Sequence, residues 1–138
     1  KNGNNTQVGT ASTLPTSSLI ATSHIGTHNT NYNFMLWAWE PKDGYSKFGT
    51  YTGTGSSRSV SVGFQPDFVI IKASGNSSDW YMIDSKRPNN KFSAANASAA
   101  EGTADDTHTF TSTGFTLSGG SYNNENYTWV YAAFREAT

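Results

Sequence analysis

Short apolar runs recur about every ten residues, and clusters of Gly, Pro, Asn, Asp and Ser separate them. Within most runs apolar and polar residues alternate, which is the period of a β-strand rather than of a helix. The pattern therefore predicts an all-β fold, an antiparallel β-sandwich with jelly-roll-like topology. The predicted strands are 18–22, 33–40, 47–53, 57–63, 67–73, 80–84, 108–112, 114–118 and 127–136.

The predicted strands differ in how many of their faces are apolar. In 127–136 both alternating faces are largely apolar, and 67–72 has the same character. Such strands lie centrally in a sheet and are covered on both faces. By contrast, 57–62 alternates cleanly, with Arg58 in line with two valines, so we expect it near an edge or on an outer face. The Ala-rich patch 93–101 is the one candidate helix, with a single turn or a loop as the alternative.

The chain contains an internal repeat. The segment 126–136 repeats 31–40 at a constant offset of 126 − 31 = 95 residues. A period this long indicates stacked or strung domains rather than a small-repeat solenoid, and it predicts that 33–40 is a strand mirroring 128–135. The domains predicted from the repeat are a linker or frayed end at 1–13, the C-terminal third of a preceding module copy at 14–43, and a complete β-sandwich module at 44–138.

Composition narrows the classes of partner. Nine Lys and Arg against ten Asp and Glu give a formal charge of −1, without a basic run to neutralise a phosphate backbone. No stretch of about 20 consecutive apolar residues is present, which is the length that a membrane-spanning helix needs. Cysteine is absent, so a thiolate metal site is excluded. We expect no nucleic-acid partner and no membrane insertion.

The candidate metal and catalytic motifs are weak. His24 and His28 have a spacing that places two zinc ligands on one side of a helix, but the residues around them are not helical. The acidic patch from Glu101 to His108 offers oxygen ligands for calcium without the spacing of an EF-hand, so a solvated loop is the favoured interpretation. No Gly-x-Ser-x-Gly motif occurs. We expect no catalytic residues, no metal site and no cofactor.

One polar-aromatic segment, 77–87, is typical of a sugar-binding site. An exposed aromatic ring stacks on the apolar face of a pyranose, and acids, amides and arginines bind the hydroxyls. The alternative is that one of the two aromatic side chains alternates into the core. The candidate ligand-binding residues are Trp80 or Tyr81 as the stacking platform and Asp79, Asp84 and Arg87 as hydrogen-bonding partners.

Four segments in order resemble a module of virion proteins of tailed bacteriophages, marine and cyanobacterial phages in particular. They are Asp43-Gly-Tyr-Ser-Lys-Phe-Gly-Thr-Tyr-Thr-Gly-Thr-Gly-Ser56, Val62-Gly-Phe-Gln-Pro-Asp-Phe-Val-Ile-Ile-Lys72, Asp79-Trp-Tyr-Met-Ile-Asp-Ser-Lys-Arg87 and Tyr127-Thr-Trp-Val-Tyr-Ala-Ala-Phe134. The resemblance covers nearly all of 32–136 and departs at Arg135, where the family usually has Ala. The shared positions are mostly glycines, aromatics and a proline, which determine the fold rather than a site.

The resemblance implies a non-enzymatic module on the virion surface, outside the cell. A tail fibre or receptor-binding piece that contacts host surface glycans is the expected role, with other virion proteins as partners. Fibres commonly wind three chains about one axis, so a homotrimer is expected. The first alternative is a capsid decoration or head-fibre protein that reads no receptor. The second is a fragment of a cell-surface glycosidase or depolymerase.

Overall fold

The structure, a computed structural model, describes residues 38–136, which contain no helix. Each strand follows an apolar-polar alternation, and turn residues end it. The strands are β1 (Ser46–Thr52), β2 (Arg58–Ser61), β3 (Phe68–Ala73), β4 (Tyr81–Asp84), β5 (Lys91–Ala94), β6 (Gly102–Thr103), β7 (His108–Thr111), β8 (Gly114–Leu117) and β9 (Thr128–Phe134).

The strands form two antiparallel sheets. The larger sheet has the order β1-β9-β3-β4-β5-β6, and the smaller has the order β2-β8-β7. The prediction of an all-β, antiparallel sandwich is therefore confirmed, whereas this strand order does not establish a jelly roll. The two strands predicted to be central, β3 and β9, pair with each other in the middle of the large sheet. The strand containing Arg58 lies at an edge of the small sheet, as its one-sided alternation predicts.

The core lies between the two sheets and is rich in aromatic rings. Tyr51 on β1 lies parallel to Trp129 on β9, with ring centroids 6.1 Å apart. Phe115 of the small sheet meets Tyr131 edge-on at 5.7 Å, which joins the two layers. Edge-on and offset pairs of this kind add to the stability that burial provides. The residues buried in this core are Tyr51, Val60, Val62, Phe64, Val69, Ile71, Ala73, Ile83, Phe115, Leu117, Tyr122, Trp129, Tyr131 and Ala133.

A buried amide fixes the loop between β1 and β2 against the loop before β9. Asn123 is fully buried, and its Nδ2 donates to Thr54 Oγ1 over 2.9 Å and to the Ser56 carbonyl over 2.5 Å. Its own carbonyl accepts from the backbone N–H of Gly55 over 2.7 Å. A Cβ at Gly53 would lie 1.8 Å from the Asn124 carbonyl oxygen, so only glycine permits this close approach.

The face of the large sheet that points away from the core is also apolar. On β9 the buried residues Trp129, Tyr131 and Ala133 alternate with residues that are only half-buried. Among the described residues only the core side of this strand is fully buried, so its coverage on both faces stays a prediction. We call the other side the outer face, and its apolar residues are Phe48, Phe68, Ile70, Met82, Val130, Ala132 and Phe134.

Three further predictions differ from the structure or lie outside it. The patch 93–101 is not a helix, because Lys91–Ala94 forms β5 and a turn and loop follow it. Residues 38–40, predicted as the end of a strand, have no regular structure, whereas 33–37 lie outside the described residues. The predicted strand 18–22, the linker 1–13 and most of the segment 14–43 also lie outside them, so the domain boundaries stay predictions.

Candidate functional site

Trp80 stands at the start of β4 with its side chain 42% exposed. Its backbone N–H donates to Asn96 Oδ1 over 2.8 Å, and its carbonyl accepts from the Ala95 N–H over 2.9 Å. The second bond extends the pairing of β4 with β5 beyond the strand ends. Trp80 is thus exposed although its backbone is fixed, so of the two aromatic side chains it is not the one that alternates into the core.

An acid and an amide lie beside this ring. Asn96 Nδ2 donates to Asp79 Oδ1 over 2.9 Å, so the amide bridges the carboxylate and the Trp80 backbone. A carboxylate accepts hydrogen bonds, and an amide both donates and accepts them, which is the chemistry that hydroxyl groups need. We call Asp79, Trp80 and Asn96 the Trp80 site. The loop that carries Asp79 is held from β3, because Lys72 Nζ donates to the Asn76 carbonyl over 2.7 Å.

Asp79 also affects the ionisation of Lys72. Burial of the ammonium group lowers the pKa of Lys72, and the negative charge of Asp79 partly opposes this shift. The lysine therefore contributes a positive charge beneath the Asp79 loop rather than at the exposed surface. Its ammonium is already engaged with backbone carbonyls, one of them that of Ala73 at 2.6 Å.

Tyr81 lies differently from Trp80. Its ring meets Phe92 edge-on at 5.2 Å and Tyr122 edge-on at 5.3 Å, so it packs towards the core. Burial raises the pKa of Tyr81, and the nearby Asp79 adds to the increase. Because side chains alternate along a strand, the neighbouring Trp80 points to the opposite side. Of the two platforms predicted from the sequence, the geometry favours Trp80.

Asp84 and Arg87 lie at the other end of β4. Four residue-to-residue steps of extended chain separate Asp84 from Trp80, which is about 13 Å. Arg87 Nε donates to Asp84 Oδ2 over 2.6 Å, and Asp84 Oδ1 accepts from the backbone N–H groups of Lys86 and Arg87 over 2.9 Å each. Burial by itself raises the pKa of the Asp84 carboxyl, but these hydrogen bonds and the Arg87 charge outweigh it and lower the pKa.

The Asp84–Arg87 pair is part of a network that holds β4, β5 and the following loop together. Arg87 Nη1 donates to Ser93 Oγ and lies 3.7 Å from Glu101 Oε2. Lys91 Nζ lies 4.0 Å from the same carboxylate and donates to Thr103 Oγ1 over 2.6 Å. The structure therefore does not bring Asp84 and Arg87 together with Trp80. Instead, the two side chains bond to each other and to neighbouring residues of this network.

Asn96 was not predicted as a site residue. It stands 16 residues after Trp80, in the Ala-rich patch interpreted as a helix, turn or loop. Its place in the site depends on the pairing of β4 with β5, which the sequence pattern did not reveal. The signal in the sequence that could have indicated it is an asparagine among the small residues of this patch.

The predicted metal-ligand candidates do not gather in the described residues. His108 is buried in the core, Glu101 pairs with Arg87, and Asp106 Oδ2 accepts from the Ser121 N–H over 2.6 Å. Among residues 38–136, no group of three or more His, Cys, Asp or Glu side chains is placed to hold a metal ion. His24 and His28 lie outside these residues. Over the same range, no helix has the length and apolar character needed to cross a membrane.

Comparison with protein families gave one result over the full length. A family model described as a domain of unknown function, DUF7483, matches residues 1–138. The chain belongs to this family. Comparisons with curated proteins and with solved structures gave no match. Membership of DUF7483 assigns no ligand, so the exposed ring of the Trp80 site remains the feature from which a function is argued.

Proposed function

We propose that this DUF7483 domain is a non-catalytic recognition module on the virion surface of a tailed phage, where the Trp80 site contacts host surface glycans. The observation that carries the proposal is a tryptophan ring 42% exposed at a fixed point of the sheet. The resemblance of 43–56, 62–72, 79–87 and 127–134 to phage virion modules supports the location. A tail fibre or other receptor-binding piece is the form we favour.

The chemistry of the Trp80 site suits a saccharide. The indole face offers an apolar platform for the C–H groups of a pyranose, while its N–H is a further donor. Asp79 and Asn96 lie next to the ring and supply acceptors and donors for hydroxyl groups. A shallow site of this kind binds a single sugar weakly, with a dissociation constant of about 1 mM, or about −4 kcal/mol.

Weak single sites imply a multivalent assembly. Linking several copies makes each further contact intramolecular, which raises the overall affinity without a new contact. A homotrimer, the common form of fibres, would present three Trp80 sites to one host surface. We therefore propose a homo-oligomer, a trimer in a fibre, with other virion proteins as further partners. Light scattering of the full-length parent protein tests this state, and a monomer mass contradicts it.

The glycan proposal is tested by adsorption of a multimerised full chain to host cells. Trp80→Ala should abolish most of the adsorption, because it removes the stacking platform. Tyr45→Ala is the matched control, since Tyr45 is 43% exposed and lies away from the site, against Lys42. Circular dichroism confirms that both variants fold. Equal adsorption by wild type and Trp80→Ala would contradict the proposal, and so would an equal loss in both variants.

A capsid decoration or head-fibre role is the second candidate, and the outer face favours it. This face is apolar and half-buried, and patches of this kind mark contacts between proteins. Labelling of the particles with an antibody against this chain, viewed in negative stain, separates the two roles. Label on the tail supports the receptor-binding role, whereas label on the head supports decoration.

A further inference from the structure

The outer face carries neighbouring apolar side chains on four strands, with Lys72 as the one charged residue that β3 adds to this side. Paired residues place Phe48 beside Ala132 and Ala132 beside Ile70, and Ile70 is in turn paired with Met82 on β4. Phe134 lies 5.6 Å from Phe48 and 6.2 Å from Phe68, measured between ring centroids. All these side chains are half-buried, whereas on β3 and β9 the neighbours on the core side of the strand are buried. A surface of this composition calls for a covering partner.

The first residues that the structure describes lie against the outer face. Trp39 stacks over Phe48 with ring centroids 6.5 Å apart and an interplanar angle of 27°. The backbone N–H groups and carbonyls of Lys42 and Ser46 exchange hydrogen bonds of 3.3 and 2.9 Å, so the chain reverses between them. Residues 38–41 therefore return along β1, and Trp39 lies over the outer face although its own side chain is 62% exposed.

We propose that residues 31–37 of the same chain cover the outer face. This segment ends next to Ala38 and contains four consecutive apolar residues, Phe34, Met35, Leu36 and Trp37. Its reach is sufficient. Three strand spacings separate β1 from β4, or about 14 Å, and the five residue-to-residue steps from Phe34 to Trp39 span about 16 Å when extended.

The contact in cis is favoured over a second copy for a physical reason. Trp39 already holds the chain against Phe48, so the residues before it are confined near the outer face at a high effective concentration. A second copy would pay the translational and rotational cost of association for the same apolar contact. The domain and its preceding segment would then form one folded unit, and the outer face would no longer support the decoration role, because it would not be free for other proteins. The argument for this contact uses no residue of the Trp80 site, although Trp80 lies on the same side of β4 as Met82.

The absence of cysteine in the chain makes cross-linking a clean test. Two variants of the full chain pair the segment with the outer face: Phe34→Cys with Met82→Cys, and Leu36→Cys with Val130→Cys. The matched control is Phe34→Cys with Ser59→Cys. Ser59 is exposed on β2 of the other sheet, where its hydroxyl contacts Thr116 Oγ1. A short bis-maleimide is added at low protein concentration, and products are separated on a denaturing gel.

The expected product is a cross-linked monomer in both outer-face pairs. It should form at least about tenfold faster than in the Ser59 control, the ratio expected if docking is favoured by about 1.4 kcal/mol. Equal rates in the test and control pairs would overturn the proposal, because they indicate random encounters. Cross-linked dimers or trimers in place of monomers would also overturn it and assign the outer face to a second copy. Cooperative thermal unfolding confirms that each variant folds, and the second outer-face pair replaces one that does not.

Discussion

The Tyr51 hydroxyl on β1 donates a hydrogen bond to the backbone carbonyl of Tyr122, 71 residues further along the chain. Tyr51 is 4% exposed and Tyr122 is 1% exposed, so water cannot replace this bond. The contact fixes the loop before β9 to strand β1. It acts beside Asn123, which holds the same loop against residues 54–56. This loop carries no strand, yet it closes one end of the sandwich.

Tyr51→Phe should therefore lower the free energy of unfolding by about 1–3 kcal/mol, because a buried carbonyl loses its partner while the ring is retained. Urea unfolding measures the change. Tyr45→Phe removes a hydroxyl from a residue 43% exposed, and should change stability by no more than about 0.5 kcal/mol. If both variants lose the same amount, the hydroxyl of Tyr51 contributes no specific bond.

Because His108 is buried, we expect the stability of the domain to depend on pH. Burial lowers the pKa of His108 below its usual value, and Asp84 nearby opposes the shift only in part while the Arg87 charge adds to it. The unfolded chain then binds a proton at a higher pH than the folded chain does. Stability contributed by neutral His108 is complete above pH about 6.5 and decreases as the pH falls below that value.

The measurement is urea unfolding between pH 7.5 and pH 5. One proton gives a slope of at most about 1.4 kcal/mol per pH unit. His108→Phe keeps an aromatic ring beside Phe110 and Tyr122 and removes the titrating group, so its stability should depend less on pH over this window. The same slope in both proteins would assign the effect to other residues.

Two of the four tryptophans, one buried and one exposed, allow a comparison of what the burial of the ring contributes to stability. Trp129 is 2% exposed and stacks on Tyr51, so Trp129→Ala should cost about 3–5 kcal/mol through lost transfer energy and the cavity left behind. Trp80→Ala, at a side chain 42% exposed, should cost much less. Both values come from urea unfolding. A loss below about 1 kcal/mol for Trp129→Ala would mean that the core does not depend on this ring.

The strands that the local sequence pattern predicts are those with several apolar positions. The segments 67–73 and 127–136 contain enough alternating apolar residues to predict β3 and β9, and even their central place. By contrast, β5 has four residues with Phe92 as its one large apolar side chain, and β6 has two residues. These strands exist because β5 finds a partner in β4 and β6 finds one in β5, so tertiary pairing rather than local preference determines them.

The candidate site shows the same difference between what the local pattern predicts and what the pairing of strands determines. The sequence identified Trp80 and Asp79 because an aromatic ring beside an acid is visible locally. Asp84 and Arg87 lie at the far end of β4, a separation from Trp80 that the local pattern does not show, so their role in binding stays a prediction. Asn96 was missed because it reaches the site through the pairing of β4 with β5.

Asp84→Ala separates a structural role from a binding role. The carboxylate accepts two backbone N–H groups and pairs with Arg87 at 2.6 Å, so its removal should lower the free energy of unfolding by about 1.5–3 kcal/mol. Adsorption per folded molecule should equal that of the wild type, because Asp84 lies at the opposite end of β4 from Trp80. Asp84→Asn retains an oxygen for the backbone groups and should lose less stability.

The pH dependence of Asp84 gives a second readout. Its pKa is lowered in the folded state, so its contribution is present above pH about 3.8 and is lost as the pH falls through the folded pKa. Asp84→Asn should remove this acid-sensitive part of the stability while wild type retains it. Reduced adsorption by folded Asp84→Asn would instead place the carboxylate in the glycan site, as the sequence predicted, and would contradict the separation of the two ends of β4.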